Sequence, residues 1–93
     1  MDTRNRDLDQ VARALADPTR RSLIEQLLGR PGLTTGQLAV MAPQLSRFAV
    51  MKHLDVLRAC GLVRTMSEGR QRRHYLERSG LEPLRDWLEG LPR

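Results

Sequence analysis

Gln44-Leu45-Ser46-Arg47-Phe48-Ala49-Val50-Met51-Lys52-His53-Leu54-Asp55-Val56-Leu57-Arg58-Ala59-Cys60-Gly61-Leu62-Val63 reads as a capped helix that stops at a glycine and runs into a strand. Ser46 is placed to accept a hydrogen bond from a backbone N–H near Ala49, and Gly61 to take the left-handed conformation that ends a helix. The segment between them makes about four turns. At 3.6 residues per turn, Ala49, Val50, His53, Leu54, Val56, Leu57 and Cys60 fall on one arc, expected to face a core. Arg47, Phe48, Met51, Lys52, Asp55 and Arg58 fall on the other. A helix is about as wide as the major groove of DNA, and in helix-turn-helix proteins the side chains near its N-terminus reach base edges. Taken alone, an ordinary surface helix with a solvated charged face would look the same, so the segment that follows carries the decision.

After Gly61 come Leu62-Val63-Arg64-Thr65-Met66, the polar tip Ser67-Glu68-Gly69-Arg70-Gln71-Arg72-Arg73, and His74-Tyr75-Leu76-Glu77. Two β-type runs around a glycine-bearing tip predict a hairpin. Arg64, Arg70, Arg72 and Arg73 crowd it against the single acid Glu68. Such a ribbon can lay guanidinium groups along a phosphate backbone or into a narrow minor groove. Placed directly behind a basic capped helix, it is far more specific than a charged hairpin elsewhere.

Upstream, Leu8, Val11, Ala12 and Leu15 form a helical stripe over Asp7 to Ala16, ended by Asp17-Pro18. Asp17 then caps a second helix with Pro18 at its first position, whose inner face is Leu23, Ile24, Leu27 and Leu28 before Gly29-Arg30-Pro31-Gly32 breaks it. Leu33 is read as a short extended contact to the hairpin, and Thr34 or Thr35 as the cap of a third helix through Ala42. Pro43 turns the chain into Ser46, giving the spacing of a helix-turn-helix. Leu81, Leu84, Trp87, Leu88 and Leu91 recur at helical intervals, so a final amphipathic helix is expected. The fold class is mainly α with a small β-hairpin, about five helices plus a two-stranded wing, in one domain over residues 1–93.

The chain carries 16 Lys and Arg against 11 Asp and Glu, net +5, which favours a polyanionic partner. Of those cations only Lys52 is a lysine. One cysteine allows no intramolecular disulfide framework and no CxxC zinc site, and fits a reducing, cytoplasmic compartment. No apolar run approaches a membrane span, and Met1 to Asp7 lacks the apolar stretch of a signal peptide. No membrane partner is expected.

In combination these segments resemble the ArsR/SmtB family of winged-helix transcriptional repressors. The matching signatures are Ala14-Leu15-Ala16-Asp17-Pro18-Thr19-Arg20-Arg21, Leu33-Thr34 through Leu38-Ala39, and Ser46 to Leu54 with Leu57 and Gly61-Leu62-Val63. Glu68-Gly69-Arg70 and Arg73-His74-Tyr75-Leu76 match the wing. The resemblance covers roughly residues 8 to 91. It implies a homodimer, joined through its first and last helices, that binds a near-palindromic operator and blocks transcription. The Arg47 to Leu54 wording resembles the metal-independent branch. The metal sensors' paired thiolates would fall within Thr35 to Ala42, where this chain has neither Cys nor His, and its last helix offers Glu82, Asp86 and Glu89 without His. No metal and no cofactor is expected.

The residues assigned to DNA are Ser46, Arg47, Phe48, Met51, Lys52, His53, Arg64, Arg70, Arg72 and Arg73. Those assigned to a dimer interface are Leu8, Val11, Leu81, Leu84, Trp87 and Leu88, whose stripes a thin winged-helix core cannot fully cover. Cys60 is read as a small buried hydrophobe, His74 as a strand residue near DNA, and Tyr75 and Trp87 as core or interface anchors. Ser22, Ser46, Ser67 and Ser79 share no motif with a histidine and acid, and no glycine-rich phosphate loop occurs, so catalysis is not supported. The alternative function is a less specific architectural DNA-binding protein, or one that turns its basic face to RNA or an acidic protein. Phe48 and Met51, suited to thymine methyls, argue for base reading.

Overall fold

The computed structural model describes residues 3–92 and measures 45 × 26 × 25 Å. Helix α1 (Thr3–Leu15) and helix α2 (Pro18–Gly29) are joined by the tight Ala16-Asp17 corner. Asp17 caps α2 with its carboxylate, accepting from the N–H groups of Thr19 at 2.7 Å and Arg20 at 3.2 Å. The two arginines that follow close α1 from the other side. Arg20 Nε donates to the Ala14 carbonyl at 2.8 Å, Arg20 Nη2 to that of Arg13 at 2.9 Å, and Arg21 Nη1 to that of Leu15 at 2.6 Å. One five-residue motif thus satisfies two orphan donors of one helix and three carbonyls at the end of another.

Strand β1 (Leu33–Thr34) leads into α3 (Thr35–Val40), then a turn and α4 (Arg47–Ala59). Thr34, not Thr35, caps α3: its hydroxyl accepts from Gln37 N at 3.1 Å while Gln37 Oε1 accepts from Thr34 N at 2.8 Å, a reciprocal capping box. Helix α4 ends as expected, with Gly61 at φ +80°, its N–H bonded to the Arg58 carbonyl and the next N–H, from Leu62, bonded to that of Leu57. Strands β2 (Val63–Glu68) and β3 (Gln71–Leu76) form the wing, and β1 pairs with β3 (Leu33 opposite His74), making a three-stranded antiparallel sheet in the order β1-β3-β2. A 3-10 turn (Arg78–Leu81) brings the chain into α5 (Glu82–Glu89), which packs on α1.

The core gathers Val11 and Ala14 of α1, Leu23, Ile24 and Leu27 of α2, Leu38 of α3, Val50, Leu54 and Leu57 of α4, and Leu33, Leu62 and Val63 of the sheet region. Four positions depart from the sequence reading, the first being Ala12, placed on the apolar stripe of α1 but exposed. Val56 is 41% exposed because nothing packs beyond the flank of α4, so the true inner arc is narrower than drawn. Leu28, in the last turn of α2, faces out. Val11 is only 1% exposed and belongs to this chain's own core, so it is withdrawn from the surface stripe offered to a second copy.

Gly80 holds the C-terminal segment close. A Cβ there would stand 2.3 Å from the Gly61 carbonyl oxygen, so the two glycine backbones touch where the end of α4 meets the 3-10 turn.

Candidate nucleic-acid interface

The first turn of α4 is built by its cap. Ser46 sits in an extended conformation and its Oγ accepts from Ala49 N at 3.0 Å, which leaves Arg47 and Phe48 to project from the helix start. Phe48 is 67% exposed, an unusual state for a phenylalanine. The Lys52 ammonium lies 5.2 Å from its ring centroid, a cation–π contact that keeps charge and apolar ring together. The Arg47 guanidinium lies over Gly36, at the start of α3, and Met51 is exposed one turn on. Ser46, Arg47, Phe48, Met51 and Lys52 are therefore brought together on one accessible surface.

His53 stands apart from that cluster. It is half-buried on the flank of α4 facing α2, with its Nδ1 3.4 Å from Arg20 Nη1.

The four wing arginines divide. Register pairs Arg64 with Tyr75 and Met66 with Arg73 on one face of the ribbon, and Ser67 with Arg72 and Thr65 with His74 on the other. On the first face, Arg64 Nε donates to Glu77 Oε1 at 2.7 Å and its guanidinium stacks 4.7 Å from the Tyr75 ring. Arg73 Nε donates to Glu68 Oε2 at 2.7 Å and its Nη1 to the Gly32 carbonyl at 2.9 Å. Both are braces within the chain. Arg70, beside Gly69 at φ +61°, and Arg72 are exposed and have no ion pair among the described residues. Arg72 shares a shallow depression with Met51, Asp55 and Arg58 of α4. Asp55 and Arg58 form an ion pair one turn apart. That i, i+3 spacing is visible in the sequence, whereas their meeting with Arg72 depends on the strand register.

His74, expected beside DNA, is 2% exposed and turned inward. Its Nε2 lies 2.8 Å from Thr35 Oγ1 and its Nδ1 2.9 Å from Thr65 Oγ1, so a neutral ring satisfies both nitrogens and ties the wing to the first turn of α3. Burial, assisted by the positive charges of Arg58 and Arg72, pushes its pKa from 6.5 down to about 4. Burial also pushes the half-buried Cys60 thiol up, and its Sγ donates to the Leu57 carbonyl at 3.4 Å. The Asp17 carboxyl is held below its ordinary value chiefly by the Arg20 backbone N–H.

A groove of about 720 Å³ runs between α1, the end of α4 and α5, lined by Leu8, Cys60, Pro83 and Trp87 with Asp7, Glu82 and Asp86 at its polar parts. Leu81 and Leu84 pack half-buried against the core, while Trp87, Leu88 and Leu91 are exposed.

Residues 15–65 match the family model described as a helix-turn-helix domain. The HTH-type transcriptional regulator Rv2034 of Mycobacterium tuberculosis is 42% identical over 84 residues, covering 90% of this chain and 77% of the relative. The crystal structure of an ArsR family transcriptional regulator aligns with a TM-score of 0.83 at 32% identity, covering 96% of this chain and 90% of that one. The chain belongs to the ArsR family of transcriptional regulators. Another relative of this ArsR protein is the HTH-type transcriptional regulator CmtR of Mycobacterium tuberculosis, 47% identical over 75 residues, which are 80% of this chain and 61% of CmtR. The solution structure of CmtR, described as a cadmium metal-sensor, aligns with a TM-score of 0.63 at 41% identity, covering 89% of this chain and 84% of that one. The relatives are DNA-binding regulators, not enzymes, and no described helix of this ArsR protein is long and apolar enough to cross a membrane.

Proposed function

We propose that this ArsR protein is a cytoplasmic repressor that binds a near-palindromic operator as a homodimer, residues 1–93 acting as one DNA-binding domain with α1 and α5 as its dimerisation helices. The carrying observation is the accessible face at the N-terminus of α4, where Arg47, Phe48, Met51 and Lys52 stand together. Arg47 and Lys52 supply hydrogen-bond donors for base edges or phosphates, and Phe48 and Met51 apolar surface for thymine methyls. A protein gripping phosphates alone has no use for an exposed phenylalanine there. Arg70 and Arg72 supply the wing's contacts, with Arg64 and Arg73 fixing its shape. Exposed Trp87, Leu88 and Leu91, with Leu8 across the groove, offer apolar surface to a second copy.

The test is sequencing of the fragments that the purified protein selects from genomic DNA, followed by the same selection with Arg47→Ala. A shared palindromic motif, lost or relaxed at one position of each half-site in the variant at a cost of about 1–3 kcal/mol, is the expected result. Selection without a motif would make the protein an architectural binder. A reporter driven from the selected site, silenced by the protein, checks the repressor role.

A further inference from the structure

Arg20 does more than close α1. Its guanidinium spans three elements: Nε and Nη2 donate to the last carbonyls of α1 at 2.8 and 2.9 Å, Nη1 lies 3.8 Å from Asp17 Oδ2 on its own helix, and the same Nη1 reaches the His53 ring on α4 at 3.4 Å. A guanidinium carries donors and no acceptor. In the neutral ring this geometry makes His53 Nδ1 the acceptor and leaves the single ring proton on Nε2. Nε2 has no partner among the described residues, and no buried side-chain nitrogen or oxygen lacks a partner, so Nε2 opens to solvent. It does so from the second turn of α4, next to Lys52, on the edge of the helix away from the wing. The residues on the edges of a helix lying in the major groove are those that meet the flanking phosphates.

We propose that Arg20 is a positioning residue of the DNA interface: by donating to Nδ1 it fixes His53 as the Nε2–H tautomer and aims that proton at a phosphate oxygen of the strand on the side of α4 opposite the wing. The inference rests on α4 being the DNA-reading helix. Arg72 and Arg70 hold one backbone, and His53 marks the other. A neutral donor of this kind fixes register without adding to the salt dependence, because it displaces no counterion.

Two substitutions of His53 separate the ring's nitrogens, and neither touches the bonds Arg20 makes to α1. His53→Gln keeps a donor near the Nε2 position, and His53→Asn keeps an acceptor near Nδ1 for Arg20. On the selected operator, His53→Gln should bind within about 3-fold of wild type, while His53→Asn should lose about 10-fold or more, as for a hydrogen bond to a charged group. Both should keep the wild-type salt slope. Nitrogen NMR of the free protein above the titration range of imidazole should show His53 as the Nε2–H tautomer, and Arg20→Lys, which keeps the charge but loses the fork, should show a mixture. An Nδ1–H tautomer in the wild type, equal binding by both His53 variants, or a loss confined to His53→Gln would each overturn the proposal. Failure of the underlying reading would look different, because the wild type itself would then select no operator.

Discussion

At the scale of single residues, His74 carries the clearest consequence. The folded protein holds it neutral down to about pH 4, while in the unfolded chain it protonates near its ordinary 6.5. Between those values the unfolded state binds the extra proton, so stability is full above pH 6.5 and falls as the pH drops toward 4. A shift of this size corresponds to about 3 kcal/mol. Urea titrations across that window should show it, and a His74→Gln variant should flatten the dependence. A slope as steep in the variant would assign it to other groups. Cys60 carries a second expectation. Its thiol is pushed toward the protonated form, and the chain has no other cysteine. Among the described residues no group of three or more His, Cys, Asp or Glu is placed to hold a metal ion. Soft ions want several thiolate or imidazole ligands. Low-micromolar cadmium should leave operator affinity unchanged, although the relative CmtR is described as a cadmium metal-sensor; stoichiometric release from DNA would point to a site shared between copies and built on Cys60.

At the scale of elements, the wing separates into two working halves. Replacing Arg70 and Arg72 together with alanine should weaken binding to every sequence and flatten the salt dependence by about one to two units of slope. The braces should behave otherwise. Losing Arg73 releases both Glu68 and the Gly32 carbonyl and should show as a loss of wing order. That division could not be read from composition, which counts Arg64, Arg70, Arg72 and Arg73 alike. Glu77 becomes Arg64's partner only through the strand pairing that sets Val63 against Leu76, and His74 is buried only because the same register turns it toward α3. What lay open in the sequence is what a few neighbouring residues decide among themselves: the Asp17 and Ser46 caps, the glycine stop at 61, the hairpin around Gly69. Helical periodicity gave the direction of each apolar face and not its width or its owner. Val56 lies just past the edge of what α4's neighbours cover, and Val11 points along the expected stripe but into its own chain's core. Arg20 was legible as part of a motif, yet its reach across 33 positions to His53 was not.

At the scale of the whole molecule, the apolar ridge of α5 is the feature that a single chain leaves unfinished. Trp87, 51% exposed beside Leu88 and Leu91, is the largest side chain there. Trp87→Ala should lower both dimerisation and operator affinity, by about 2 kcal/mol or more if it is a central anchor. Sedimentation of wild type and variant at micromolar concentration, paired with operator titrations, checks both; a variant that stays dimeric and fully active would leave the indole as a surface ornament of α5. A two-fold pair joined this way sets its recognition helices about 34 Å apart, one turn of DNA. How strictly that distance is kept depends on the touching backbones of Gly61 and Gly80. A side chain in place of Gly80 would meet the Gly61 carbonyl, so any larger residue there must push the C-terminal segment away from the end of α4. In the proposed homodimer that seam would make the pair of recognition helices a gauge of half-site spacing. An operator lengthened by one base pair, which moves one half-site by about 3.4 Å and turns it by about 35°, is then expected to bind more weakly than the selected site, and titrations of the two operators side by side check it.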